Sequence, residues 1–253
     1  MPLSRFLSLL ELKTIWFSRL GALQDKYECT NPKGPRGMLL SVLKNNPDLK
    51  EAKTPFGISY NDLLARTDNG WSGDGWRKGG LVNCWFIGKL ESEKMWKNYG
   101  DDGKGVAIRS SIKQLASSFE LPGGFGKISR VGRVNYVDFG TCDLGARGED
   151  MVRVAFIKDK ELFKDENEVR IVTLNSFHSG TLFPDGNSPS TFGVAPEIKG
   201  MHIKCSLQEL IQGVVVGPNT DWNFHMLIKQ IIGRYGLTVN VERSQIPPWS
   251  SIV

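Results

Sequence analysis

Predicted strands and helices alternate along the whole chain, and this alternation constrains the fold more than any other sequence feature. Residues 81–86 and 168–174 are short, apolar and rich in β-branched or aromatic side chains, as expected of buried strands. Between them lie helices that begin at capping residues, such as Ser111 with Gln114 three positions later. No linker divides the chain. We therefore predict an α/β (α+β) fold, a single compact domain over residues 1–253 with a mixed, largely antiparallel sheet flanked by helices.

The net charge of the chain indicates which kind of binding partner to expect. The chain of 253 residues holds 32 Lys and Arg residues against 27 Asp and Glu residues, a formal net charge of +5. A basic excess favours contact with phosphate groups, so one expected partner is a nucleic acid bound through a basic surface. The alternative is a solvated, mildly basic face without a partner. With 40% hydrophobic residues, the chain as a whole is not expected to be disordered.

The cysteines and the apolar segments indicate the cellular compartment in which the protein is expected. Four cysteines lie far apart and form no Cys-x-x-Cys pair, so no metal site is predicted from them. Scattered thiols suit a reducing cytoplasm. The apolar start of the chain is interrupted by Arg5 and Glu11, and no apolar run is long enough to span a membrane. We therefore expect a cytoplasmic protein with no membrane partner.

Three groups of motifs carry a resemblance to a known family. The most specific group comprises Cys84-Trp85-Phe86, Glu91-Ser92, Met95-Trp96-x-x-Tyr99 and the Gly-Val-Ala-Ile segment at 105–108. A second group comprises Lys158, Phe163 and Glu166-x-Glu168-x-Arg170, and an earlier group comprises residues 16–19, Asp25 and Glu28. Together these patterns resemble a bacterial family of unknown function whose members occur among abortive-infection and phage-defence genes.

The resemblance implies a biological role and leaves the chemistry open. It implies that the chain is a bacterial defence or toxin-type effector, with the family's domain spanning residues 1–253. An effector of this kind is expected to be held silent by a neutralising antitoxin protein, which is therefore a second expected partner.

Glu166 and Glu168 are the candidate catalytic residues. Two carboxylates separated by one residue on an extended strand point to the same face, where they can divide general-base and electrostatic roles. A Glu-x-Glu strand is also typical of ADP-ribosyltransferases, in which it follows an Arg on the first strand and then a Ser-containing strand. The chain offers Arg19, then Ser110 or Ser111, then Glu168, in that order. The analogy predicts that NAD is consumed as the substrate.

The analogy to ADP-ribosyltransferases also implies a role for each of these residues in the reaction. Arg19 is expected to pair with the NAD pyrophosphate, because a guanidinium fork fits phosphate oxygens, and Ser110 is expected to orient the nicotinamide ribose. Glu168 is expected to stabilise the positive charge that develops as nicotinamide leaves. Glu166 is expected to act as the base toward the acceptor, which is a nucleic acid or a protein.

Structural interpretations compete with some of these roles. Trp96 and Tyr99 complete the predicted cofactor-binding set, yet aromatic side chains in a short capped helix also suit the hydrophobic core. Glu168 and Arg170 are same-face neighbours that would form a structural ion pair. Cys84 is expected to be buried and inert.

Two other functions stay open. A non-catalytic nucleic-acid-binding sensor would stack bases on a Gly-rich aromatic and basic segment, which holds Trp71, Trp76, Arg77 and Lys78. A metal-dependent nuclease would use clustered carboxylates, here Asp25, Glu28, Glu166 and Glu168.

Overall fold

A computed structural model gives the structure of the chain. It describes residues 1–23, 25, 28–29, 45–50, 52, 59, 80–119, 128–139, 142, 153–174 and 199–249. The aromatic and basic segment on which the nucleic-acid-binding alternative rests lies outside the described residues, since it comprises Trp71, Trp76, Arg77 and Lys78.

The largest element of the fold is a five-stranded sheet in which every neighbouring pair of strands is antiparallel. Its strand order is β4-β7-β2-β1-β8. The five strands are β1 (Thr14–Arg19), β2 (Gly80–Phe86), β4 (Ile128–Arg133), β7 (Glu168–Leu174) and β8 (Gly200–Lys204). Among the described strands, β4 and β8 therefore form the outer edges of this sheet.

Two smaller sheets complete the strands of the described residues. In the three-stranded sheet, β9 (Gly213–Val216) lies between β10 (Asn240–Arg243), to which it is parallel, and β3 (Val106–Arg109), to which it is antiparallel. In the two-stranded sheet, β5 (Asn135–Val137) pairs in parallel with β6 (Ile157–Asp159). The described part of the chain thus contains both pairing modes, and antiparallel pairs predominate.

Among the described helices, all but the first begin at a residue whose side chain accepts a backbone N–H bond, and the first follows Pro2 without such a bond. The helices are α1 (Leu3–Leu12), α2 (Glu93–Tyr99), α3 (Ile112–Ser117), α4 (Lys160–Phe163), α5 (Leu207–Leu210) and α6 (Trp222–Arg234). The caps of α2, α3, α5 and α6 are Ser92, Ser111, Ser206 and Asp221, as their sequence patterns predict. Helices and a mostly antiparallel sheet occur together, which confirms the predicted mixed α/β (α+β) class.

One stretch differs from its sequence pattern. The apolar spacing of residues 151–162 suggests a single helix, but this prediction is wrong for residues 153–162. The chain forms a short 3-10 helix over Arg153–Phe156, then β6, then α4. Residues of β6 pair with β5, and the side chain of Asp159 caps α4 by accepting from the backbone of Glu161. Pairing with a distant strand therefore overrides the local helical periodicity.

The two faces of the large sheet differ in chemistry. One face is apolar, and its residues Phe17, Leu81 and Ile171 join a core that also takes in side chains of α1 and α6. Side chains alternate along a strand, so the neighbours of these residues point the other way. Cys84 lies directly opposite Arg170 on that second face, and Glu168, two positions before Arg170, points to the same face. We call this second face of the sheet the charged face.

A smaller core closes one end of the charged face. It consists of six buried residues: Leu20, Cys29, Val82, Ala155, Phe156 and Val172. Because this cluster packs the 3-10 helix Arg153–Phe156 against β2 and β7, it brings polar groups from distant segments to the middle of β7.

Candidate active site on the charged face of the main sheet

Arg170 lies at the centre of the charged face. It stands in the middle of β7, and its side chain is fully buried. Its Nη1 and Nη2 donate to the two carboxylate oxygens of Glu28 at 2.5 and 3.1 Å. Its Nε donates to Glu168 Oε2 at 2.7 Å, and Nη1 also donates to the carbonyl oxygen of Ala155 at 2.7 Å. The guanidinium is therefore paired with two carboxylates, as a buried charge must be.

Lys158 extends this set of charges. Its side chain is 7% exposed, and its Nζ lies 2.5 Å from Glu166 Oε2 and 3.8 Å from Glu168 Oε2. Burial by itself lowers the pKa of Lys158, but the charges of Glu168 and the hydrogen bond with Glu166 outweigh it, so the pKa is raised. Lys158 is consequently held in its ammonium form between the two carboxylates that the sequence singles out.

Together these groups form a continuous network of alternating charge. Its members, from one end to the other, are Glu28, Arg170, Glu168, Lys158 and Glu166. We call it the ionic network. With each group in its charged form, three carboxylates and two cations leave one net negative charge. Burial strengthens the field of such a charge, because little water is present to screen it.

Two tyrosines border the ionic network. The Oη of Tyr136, on β5, accepts a hydrogen bond from the backbone N–H of Glu168 at 2.9 Å. Burial chiefly raises the pKa of Tyr136 to about 12. Tyr99, the last residue of α2, is 54% exposed, and its pKa is raised by burial and then by the charges of Glu166 and Glu168. A solvent-accessible phenol therefore lies within the field of both carboxylates.

Cys84 occupies the strand position opposite Arg170, and the expectation that it is buried is wrong. The residue is exposed to solvent, yet burial raises the pKa of its thiol to about 12. At neutral pH the sulfur is therefore a thiol and not a nucleophilic thiolate.

The structure brings Glu166 and Glu168 together, although not in the way the sequence suggests. Glu166 ends a 3-10 helix, Lys164–Glu166, and only Glu168 belongs to β7. Between them Asn167 takes a left-handed conformation with φ of 38°, so the two residues do not share an extended strand. They meet because both carboxylates approach Lys158, and the prediction of a common strand face is corrected accordingly.

The structure does not bring Arg19 to Glu168. Arg19 pairs with Leu81 on β2, whereas Glu168 pairs with Phe86, five positions farther along the same strand. This separation is about 17 Å at about 3.4 Å per residue. Positions an odd number apart also point to opposite faces. The predicted cleft with Arg19 and Glu168 on the same side is therefore not formed.

The other two predicted residues lie in different surroundings. Ser110 follows β3 of the three-stranded sheet, and its hydroxyl is buried without a hydrogen-bond partner among the described residues. Trp96 is 5% exposed, and its Nε1 donates to Glu91 Oε2 at 2.8 Å. Glu91 in turn accepts from Ser244 Oγ at 2.6 Å and from the backbone of Gln245 at 2.9 Å. Trp96 is thus linked through Glu91 to the segment that contains Ser244 and Gln245. This favours the interpretation that Trp96 belongs to the core and not to a cofactor-binding site.

Sequence reasoning assigned no catalytic role to Arg170, Lys158 or Tyr136, which the structure places in or beside the ionic network. Arg170 could have been found, because a charged residue flanked by Val169 and Ile171 in an apolar strand requires a buried partner. Its partner Glu28 was considered only as a metal ligand. Nothing local in the sequence marks Tyr136, whose contact with Glu168 spans 32 positions.

Metal binding has no geometric support in the part of the chain that the structure describes. No three side chains of the His, Cys, Asp and Glu types gather there in a way that could hold a metal ion. The carboxylates of Glu28, Glu166 and Glu168 are instead bonded to Arg170 and Lys158.

In the described part of the chain, no helix combines the length and the apolar character needed to cross a membrane.

Comparisons with protein-family models, with curated proteins and with solved structures each return no match. The interpretation of the site therefore rests on its geometry alone. The site consists of a buried ionic network beside a solvent-accessible thiol, Cys84, and a solvent-accessible phenol, Tyr99. The resemblance to the bacterial defence-associated family stays a prediction.

Proposed function

We propose that the chain is an enzyme of the bacterial defence or toxin type that transfers ADP-ribose from NAD to a nucleic acid or a protein. The ionic network would be its active centre. The observation that carries the proposal is the position of Glu168, whose Oε2 is held by Arg170 at 2.7 Å within a network of net negative charge. A carboxylate fixed in this way can stabilise a developing cation without reorganising.

The proposed reaction begins with loss of nicotinamide. The bond between the ribose carbon and the nicotinamide ring nitrogen breaks, and its electron pair leaves with the ring, which becomes neutral. The ribosyl group is left as an oxocarbenium ion. Glu168 stabilises that ion, because one carboxylate oxygen is engaged by Arg170 and, among the described residues, none donates to the other.

The second step is attack by the acceptor. A nucleophilic oxygen or nitrogen of the acceptor forms a bond to the ribosyl carbon, and its proton passes to Glu166. The side chain of Glu166 is 18% exposed, whereas that of Glu168 is 9% exposed, so Glu166 is the carboxylate that an acceptor reaches more easily. Tyr99, exposed within the field of both carboxylates, offers an aromatic surface for the leaving nicotinamide.

The cellular setting is part of the proposal. All four cysteines are unpaired, which suits the reducing bacterial cytoplasm, where NAD is also present. A neutralising antitoxin protein would keep an enzyme of this kind silent. The roles first expected for Arg19 and Ser110 are not retained, because neither residue lies on the charged face beside Glu168.

The test is release of nicotinamide from labelled NAD by the purified protein, with bacterial lysate as the source of acceptor. We expect Glu168→Gln to lower the rate by about 100-fold or more, as for removal of one electrostatic stabiliser. Glu161→Gln, an exposed change of the same kind on α4, is the matched control and should leave the rate unchanged. A wild-type protein that releases no nicotinamide, or a Glu168→Gln variant as fast as wild type, would overturn the proposal.

A further inference from the structure

An open cavity of about 260 Å³ lies beside the outermost strand of the main sheet. Four consecutive residues of β4, 130–133, contribute to its lining, and such residues alternate between the two faces of a strand. The cavity therefore runs along the edge of β4. The lining residues that matter for its chemistry are Arg130, Gly132, Arg133, Asn135, Arg153 and Phe156.

Among the described residues, the lining of this cavity is cationic and contains no acidic side chain. Arg130 and Arg133 are exposed, and neither is paired with a carboxylate among the described residues. Arg153 adds a third guanidinium to the wall. Guanidinium groups remain charged at physiological pH and bind phosphate oxygens through two parallel hydrogen bonds. The cavity thus has the charge and the hydrogen-bond donors for a phosphorylated ligand.

The lining of the cavity also includes an aromatic ring. Phe156 packs against Gly132, where an added Cβ would lie 3.2 Å from the ring. Glycine at this position lets the ring approach the strand closely. A cationic lining that includes one aromatic ring suits a ligand that carries both phosphates and less polar groups, such as a nucleotide.

The cavity is connected to the ionic network through the backbone of β4 and of the 3-10 helix Arg153–Phe156. Gly132, which lines the cavity, is the strand neighbour of Arg170. The backbone N–H of Val134 donates to the carbonyl oxygen of Glu168 at 2.9 Å. Ala155, whose carbonyl oxygen accepts from Arg170, immediately precedes Phe156. One segment of β4 and one 3-10 helix therefore position both sites.

We infer that this cavity binds the pyrophosphate of the dinucleotide that the proposed enzyme consumes. The inference rests on the proposed function for the identity of the ligand. Arg130, on the same face of β4 as the neighbour of Arg170, takes the phosphate-binding role that the sequence suggests for Arg19, and Arg133 lines the cavity from the other side of the β4 edge.

The experiment measures the dissociation constant of ADP-ribose by calorimetry for wild type, Arg130→Gln and Arg133→Gln. We expect each variant to bind about tenfold more weakly or worse, because each loses charge-assisted hydrogen bonds. Arg5→Gln, an exposed change of equal charge on α1, is the matched control and should bind as wild type does. Thermal unfolding of all three variants at the wild-type temperature establishes that the folds are intact.

The outcomes separate this inference from the proposed function. Loss of ADP-ribose affinity in both arginine variants supports the cavity even if no nicotinamide is ever released. Unchanged affinity in both variants overturns the cavity assignment, whether or not NAD is consumed. Binding of inorganic phosphate or of a single-stranded oligonucleotide that depends on Arg130 and Arg133, with no binding of ADP-ribose, also overturns it.

Discussion

Arg170 donates hydrogen bonds to both carboxylate oxygens of Glu28, at 2.5 and 3.1 Å, although the two residues lie 142 positions apart in the sequence. Both side chains are fully buried. Two charges out of water are stable only when each satisfies the other, so this pair fixes the segment at Glu28 onto the middle of β7. The same guanidinium holds Glu168, which makes the pair both a structural clamp and the support of the candidate catalytic carboxylate.

The first prediction concerns the stability of that clamp. Arg170→Met should lower the free energy of unfolding by about 3–5 kcal/mol, because it leaves Glu28 buried without a counter-charge. The double variant Arg170→Met/Glu28→Gln should recover part of the loss. Urea denaturation measures both. Arg109→Met removes an exposed 2.6 Å pair with Glu242 and, as the control, should cost about 1 kcal/mol or less. A loss for Arg170→Met as small as that of the control would contradict the account.

The second prediction concerns the thiol of Cys84. A variant that keeps Cys84 and replaces Cys29, Cys142 and Cys205 with Ser should react slowly with iodoacetamide at pH 8, although the residue is exposed. The rate should rise toward a midpoint near the pKa of about 12. The same chain unfolded in urea should show a midpoint near 9, the ordinary value for the thiol. A folded-state midpoint at or below 9 would contradict the raised pKa of Cys84.

The third prediction is the pH dependence that follows from the same shifts. The pKa values of Cys84 and Tyr136 are raised to about 12 in the folded state, from 9 and 10. Between about pH 9 and pH 12 the folded protein binds more protons than the unfolded chain. The stabilisation that these two groups contribute is therefore fully present below pH 9 and is lost as the pH rises toward 12. Urea denaturation at pH 8, 9 and 10 should show the decline. Cys84→Ser should make it shallower; an equal slope in this variant would refute the assignment.

The fourth prediction separates structure from binding at Trp96. Glu91→Ala removes the carboxylate that joins Trp96 to Ser244 and Gln245, and should lower the free energy of unfolding by about 1.5–3 kcal/mol. Chemical denaturation measures the loss. Glu93→Ala breaks an exposed pair with Lys97 on the same helix and should cost about 0.5 kcal/mol. If Glu91→Ala instead weakened ADP-ribose binding at unchanged stability, Trp96 would belong to the binding site.

The sequence predicts local features of the fold well, because their causes are local. The caps Ser92, Ser111 and Asp221 are recognised from a single side chain and its neighbours, and each starts a helix in the structure. The strand at β7 is similarly marked by its run of β-branched residues. The predicted ion pair between Glu168 and Arg170 is confirmed at 2.7 Å, whereas the second partner of Arg170, Glu28, does not follow from the sequence.

What the sequence does not predict depends on long-range pairing. The position of Arg19 relative to Glu168 is set by the register of β1 on β2 and of β2 on β7, and a difference of one position would reverse a face. The convergence of Glu166 and Glu168 depends on the left-handed turn at Asn167 and on Lys158 of β6. The arginine-lined cavity likewise exists only once β4 becomes the edge of the sheet.

The central claim is tested most directly by a crystal structure of the protein soaked with ADP-ribose, the portion of NAD that the proposed reaction transfers. The account predicts the pyrophosphate in the cavity at the edge of β4, bonded to Arg130 on the charged face and to Arg133 at the strand edge, and the ribose carbon that carried nicotinamide facing the carboxylate of Glu168. Electron density for the ligand on the opposite face of the sheet, beside Arg19, or a charged face that stays empty at saturating ligand, would contradict it.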